Sequence, residues 1–174
     1  DKFVDPADGA LLAQCGVRVT PDVHSYEEAK LRMLNGSHSA MALMGAITCR
    51  PYIASCIGAD HIREFVHRLM SHEVAPHLSR TDWADYRDAL IQRFGTPYLK
   101  HSVHQIATDS SQKIPQRWPP SVLAQIRTGA SFEHHALAAA VFLRYTLAVD
   151  EQGKAYALND PQADSLMAIG SKQA

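Results

Sequence analysis

One stretch constrains the fold more than any other: "EEAKLRMLNGSHSAMALMG", Glu27 to Gly45. Its apolar residues recur at helical spacing and crowd together, which predicts a long helix wrapped by others. Ser25 and Glu28 form an S-x-x-E pattern that predicts a capping box at its start, and Pro51 predicts its end near Cys49. Yet the helix carries Lys30, Asn35, Gly36 and His38. Burying an unpaired polar group costs roughly 1–3 kcal/mol, and a mid-helix glycine costs about 1 kcal/mol relative to alanine. At about 100° per residue, His38 falls roughly 80° and Asn35 roughly 140° from Lys30. The three polar groups then share less than half of the circumference, where one ligand lying along the helix touches them all.

Two explanations compete. In the bland one, Lys30 reaches water and Asn35 and His38 bond to neighbouring loops. In the functional one, this face is a substrate floor. A desolvated Lys30 is then a general base, the Asn35 amide donates to a developing oxyanion, and His38 bonds a substrate hydroxyl. Gly36 would let a ligand come close. Glu27, one turn before Lys30, would pair or exchange protons with it.

The remaining segments predict a mostly α fold with few or no strands. "DKFVDPADGALLAQCGVRVTPDV" is expected to be an irregular lead-in whose only strand-like piece is Gly16–Thr20. A second helix is predicted from Asp60 to about Val74, stopped by Pro76. A third starts near Thr81 or Asp82 and stops at Gly95, and a fourth starts at Pro97. Thr108–Pro120 is expected to be a polar break. Pro120 opens a short helix, Ser131 caps another with Leu137, Val141, Phe142 and Tyr145 in register, and Gly153 marks a turn. Asp160 and Pro161 open a final helix.

The net charge of −1 gives no electrostatic case for nucleic acid or an anionic membrane. No apolar run approaches the roughly 20 residues of a membrane span. Three cysteines, Cys15, Cys49 and Cys56, fit no metal spacing and are expected to be reduced, buried thiols. Among ten histidines, "HEVAPH" is one residue too long for H-E-x-x-H and is broken by Pro76; His101/His104 and His134/His135 lack a nearby third ligand. No metal site is expected. A zinc hydrolase is the weakest of the candidate functions.

The pattern K-x(4)-N-x(2)-H in "YEEAKLRMLNGSHSA" resembles the catalytic signature of the polyol-specific long-chain dehydrogenases, the family of mannitol 2-dehydrogenase and fructuronate reductase. "DSSQKIPQRW" is similar to the family's D-G-S-x-K-x-P segment, with Ser110 where glycine is usual, and "VDEQGKAYALNDP" to its "VDExG…DP" turn. The resemblance covers most of the chain and implies a multi-helical C-terminal domain of the 6-phosphogluconate-dehydrogenase-like type. It implies that residues 1–174 are the substrate-binding and catalytic domain, beginning at the family's "ED-x-F" junction and ending early at "GSKQA". An N-terminal Rossmann domain that binds NAD is then the domain's partner, consistent with the absence of G-x-G-x-x-G here.

By the resemblance, Lys30 corresponds to the general base, Asn35 to an oxyanion donor, His38 to a substrate-orienting group and Glu27 to a proton-relaying carboxylate. Lys113 corresponds to a substrate contact. Gln105 stands where mannitol-specific members carry arginine, so the segment is closer to the fructuronate reductase branch, and Arg117 suits a uronate carboxylate. The implied activity is metal-free hydride transfer between nicotinamide and a secondary alcohol of a polyol, ketose or sugar acid, in the cytoplasm. The alternative is a non-catalytic helical ligand-binding or interaction domain.

Overall fold

The computed structural model describes residues 6–170, so the "DKF" junction and the last four residues of "GSKQA" lie outside the described residues. The predicted long helix is the axis of the fold, but it is not one α-helix. It runs as α2 (His24–Ala29), a π-helical segment (Lys30–Asn35) and α3 (Gly36–Ile47), with helical backbone through both joins. The expected capping box is not formed. Ser25 N–H donates to Asp22 Oδ1 instead (3.2 Å), and Glu28 turns along the helix to Arg32 (2.6 Å), where a guanidinium offers a stronger partner than a backbone amide.

Helix α3 is buried on nearly every side. Ala40, Met41, Ala42 and Leu43 are fully enclosed, as an all-round apolar helix requires. It packs against α4 (Ile53–Ile57), α7 (Val103–Ala107), α8 (Ser110–Arg117) and α10 (Glu133–Tyr145). Small residues set how close these neighbours come. A Cβ on Gly45 would lie 2.5 Å from Cys56 Sγ and 2.7 Å from Val103 Cγ1. Two further helices complete the wrap. In α5 (Asp60–Arg68), Ile62, Phe65 and Val66 face the core, and the apolar stripe continues through a second π segment (Leu69–Val74) into a short 3₁₀ turn (Ala75–His77). In α6 (Trp83–Phe94), Leu90 and Phe94 face the core.

Several expectations are corrected. The lead-in holds α1 (Pro6–Gln14), and Gly16–Thr20 forms no strand; Val17 and Val19 lie exposed with no edge to pair with. Among the described residues the only β pairings are isolated bridges, Tyr52–Ser102 and Val149–Ala155. The fourth helix starts at Val103 and not at Pro97, because Val103 N–H is taken by Pro51 O and Ile53 N–H by His101 O, which holds the preceding residues extended. The polar break contains α8, which tolerates Pro115 near its C-terminal end. Asp109, at φ +57°, turns the chain into α8, and Asp160 caps it by accepting from Ser111 N–H (2.8 Å) and Oγ. The next helix, α9, begins one residue earlier than expected (Pro119–Thr128). The final helix, α11, begins later than Pro161 (Ala163–Gly170). Only Cys56 is buried; Cys15 and Cys49 are exposed.

On α10, Val141, Phe142 and Tyr145 pack on the core as their spacing predicted, but Leu137 is half exposed while Ala138 and His135 face inward. The cause is Glu73, buried on the second π segment. Its carboxylate accepts from the backbone N–H groups of His134 and His135 (2.7 and 2.9 Å) and from their Nδ1 atoms (2.8 and 2.6 Å). It thus caps α10 from another helix, where an anion is favoured. Burial opposes ionisation of this carboxyl, but the four hydrogen bonds outweigh it and hold the group at about 2, below its ordinary 4.5.

Because the folded-state value is depressed, this stabilisation is complete above about pH 4.5 and fades as pH falls toward 2. Urea unfolding should show Glu73→Gln destabilised by about 2–3 kcal/mol at pH 7, with a shallower loss of stability on acidification. Gly45→Ala should cost about 1–3 kcal/mol through overpacking. Gly36→Ala, whose added Cβ would find its nearest neighbour at 3.6 Å, should cost clearly less in the same assay.

Candidate functional site

The π segment coincides with the candidate residues. In a π turn each N–H reaches the carbonyl five residues back; here Gly36 N–H donates to Leu31 O. The wider turn brings Asn35 nearer to the Lys30 face than the roughly 140° of a regular α-helix. His38 lies three residues further on, on the adjoining face. The distortion is held from both sides. Buried Arg32 leaves the segment to reach Ser121 Oγ on α9 (3.0 Å) and His77 O (3.1 Å). From α8, Arg117 Nη1 donates to Ser39 Oγ (2.6 Å) and Asn35 O (3.3 Å). Trp118 Nε1–H donates to Gly36 O (3.0 Å). Gly36 therefore faces the Trp118 ring, and the expected ligand approach over it is corrected to an indole contact.

The candidate side chains differ in solvation. Lys30 and Glu27 are both exposed and form no ion pair with each other, so the desolvated lysine expected from the sequence is not desolvated within this chain. The Asn35 amide and the Lys30 amine have no hydrogen bond to a described residue. His38 is different: its Nε2 is buried without a partner. Its ring lies 5.2 Å from Phe94 and 5.8 Å from His101 between centroids. Burial lowers its pKa to about 4, helped by the positive charges of His101, Arg117, Arg93 and Lys113. Lys113 Nζ donates to Thr108 O, just beyond the C-terminal end of α7, where a cation is favoured. Arg117 is half-buried, which lowers its pKa while leaving it a cation. Gln105 is exposed on α7 and is not brought into hydrogen-bond contact with this group.

Sequence reasoning did not find Arg32, Ser39, Arg93, Phe94 or His101. Arg93 and Phe94 carried only the α6 stripe as a signal, and nothing in the spacing tied them to His38. Among the described residues no three His, Cys, Asp or Glu side chains converge as a metal site would need, and no helix is long and apolar enough to cross a membrane.

The family model for the mannitol dehydrogenase C-terminal domain matches residues 22–174. The chain belongs to that family. It is 38% identical to mannitol 2-dehydrogenase of Phaeosphaeria nodorum over 174 residues, 97% of this chain and 30% of the relative. It is 40% identical to D-mannonate oxidoreductase of Escherichia coli K12 over 160 residues, 90% of this chain and 33% of the relative. Mannitol 2-dehydrogenase of Pseudomonas fluorescens, solved as a ternary complex with NAD and D-mannitol, superposes with a TM-score of 0.87 at 29% identity, covering 91% of this chain and 33% of that one. The chain thus spans about a third of the length of the oxidoreductases it matches. The matched C-terminal domain is all-α, as the mostly helical pattern predicted.

In this C-terminal domain His38 is the site's one deeply set imidazole. A ¹H NMR titration should place its midpoint near 4, well below the ordinary 6.5, so that it is neutral across pH 6–8.

Proposed function

We propose that the chain is the substrate-binding and catalytic domain of an NAD-dependent oxidoreductase acting on a secondary alcohol of a polyol or sugar acid, with mannonate/fructuronate favoured over mannitol/fructose. The carrying observation is the buried, unpartnered His38 Nε2, set on the same helix as the Asn35 amide and the exposed Lys30 amine, neither bonded among the described residues. An enclosed acceptor left empty by the fold is what a substrate hydroxyl would satisfy.

The residues present fit the oxygen-handling half of a hydride transfer. The chain carries no glycine-rich phosphate-binding turn, so a Rossmann domain elsewhere in the full-length cytoplasmic enzyme holds the dinucleotide. Bound nicotinamide supplies the hydride acceptor or donor. In the oxidative direction Lys30 removes the hydroxyl proton, and in the reductive direction it returns it. The Asn35 amide donates to the oxygen as negative charge develops. Neutral His38 accepts from a neighbouring substrate hydroxyl. Glu27 exchanges the proton between Lys30 and water. Lys113, fixed against α7, contacts the substrate, and Arg117 holds the Asn35 backbone in place through its bonds to Asn35 O and Ser39. The nucleotide-binding domain covers Lys30 and provides the desolvation a lysine base needs.

The exposure of Lys30 is the observation that favours the second reading, a helical binding domain without turnover. Lys30→Ala in the full-length protein separates the two. Steady-state assays should show kcat lowered by about 10²–10⁴-fold, with NADH affinity measured by fluorescence unchanged. Undiminished turnover would remove Lys30 as the base.

A further inference from the structure

A small cavity lies beside the candidate site, on the side of His38 turned toward the end of α6. His38, Arg93, Phe94, His101, Leu34 and Ile53 line it, with about 30 Å³ of space, enough for one small polar group and no more. Three observations concern its chemistry. First, the buried Nε2 of His38 has no partner. Second, no carboxylate lines the cavity, although Arg93 does, and Arg93 forms no ion pair among the described residues. Third, Arg117, the arginine that the sequence suggested for a carboxylate, has Nη1 tied to Ser39 and Asn35. A concave surface with an unpaired guanidinium, two imidazoles and no acid is complementary to an anion.

We infer that this cavity is the subsite for the substrate's carboxylate, with Arg93 its principal cation and His101 and His38 its flanking donors or acceptors. The inference rests on the dehydrogenase reading given above and deepens it: the substrate class is a six-carbon keto acid or its reduced aldonate, not a neutral polyol. Asn35 and His38 are about one helical turn apart, roughly 4.5 Å along the axis. A hexulosonate with its ketone toward one end and its carboxylate at the other spans such a gap. The carbonyl then rests at Lys30 and Asn35, the chain passes His38, and the carboxylate enters between Arg93 and His101. Phe94 and Leu34 form the apolar wall behind it. Arg93 acts on specificity, because it touches the end of the substrate that does not react.

The test is steady-state reduction by the full-length protein with NADH, using D-fructuronate and D-fructose, for the wild type, Arg93→Gln and Arg93→Lys. Arg93 is exposed and packs into no core, so both variants should fold. The wild type should favour fructuronate. Arg93→Gln should lower the fructuronate-to-fructose ratio of kcat/KM by roughly 10-fold or more, mostly through the KM for fructuronate, as loss of a charged hydrogen bond implies. Arg93→Lys should recover part of the ratio. An unchanged ratio, or a wild type that favours fructose, overturns the subsite and leaves the dehydrogenase reading standing. Absence of NADH oxidation with either sugar overturns the dehydrogenase reading and the subsite together.

Discussion

The geometry of the site depends on a clamp across one irregular turn. The π segment from Lys30 to Asn35 has wider hydrogen bonding than an α-helix and would relax to it unless held. It is held by Arg32 reaching out to α9 and by Arg117 and Trp118 reaching in from α8. Each bond involves a group that would otherwise be a buried polar cost, so clamp and distortion stabilise one another. The result is that the amine, the amide and the imidazole stand on a segment tied by side chains to α8 and α9. This matters because a displacement of about 1 Å at a reacting centre costs as much as 10²-fold in rate.

The clamp also explains why two distant sequence segments are structurally one. "DSSQKIPQRW" supplies Lys113, Arg117 and Trp118, and "ALNDP" supplies the residues that hold it. Asp109 N–H donates to Asn159 O (2.9 Å), and Ser111 donates twice to Asp160. Ser110, in place of the usual glycine, is accommodated because the left-handed turn falls on Asp109, and Ser110 is buried with its hydroxyl on Ala107 O. The positive φ is thus borne by a residue type that tolerates it.

Much of the fold was legible in the sequence for a physical reason. Helices α5 and α6 and the central axis declare themselves by apolar periodicity, since each buries one face or all of its surface: Ile62, Phe65, Val66, Leu69, Met70 and Val74 are all buried as their spacing required. What escaped were features fixed by partners far along the chain. No local pattern marks a π turn, because the sequence of a π segment is that of an α-helix until Arg117 and Trp118 close on it. On α10 the one departure, Leu137, likewise had no local signal, because Glu73, about 60 residues away, draws His135 inward at that end of the helix. Helix α8 was masked by its polarity and Pro115; its stability comes from Asp160 and from packing under α3, not from propensity. For the candidate site, Lys30, Asn35 and His38 were found by their spacing on one helix. Arg93 and His101 were not, since they meet His38 only through tertiary folding.

Lys30 and His38 stand on one helix in opposite environments, and this bears on how such a site is completed. His38 is set in the wall of this domain, neutral at physiological pH because burial and surrounding cations disfavour its protonation. Lys30 faces water, and the physical change that makes a lysine a base, loss of hydration, has to come from whatever covers it. In the proposed reading, a site divided in this way keeps the His38 contact preformed while Lys30 waits to be covered. The positive character around His38 works in the same direction. A chain with a net charge of −1 gathers Arg93, His101, Lys113 and Arg117 around one imidazole without an acid among them. Like charges so placed repel one another, and an entering anion relieves that repulsion. Of these cations Arg117 also bonds Asn35 O, so the charge cluster and the Asn35 backbone are physically joined.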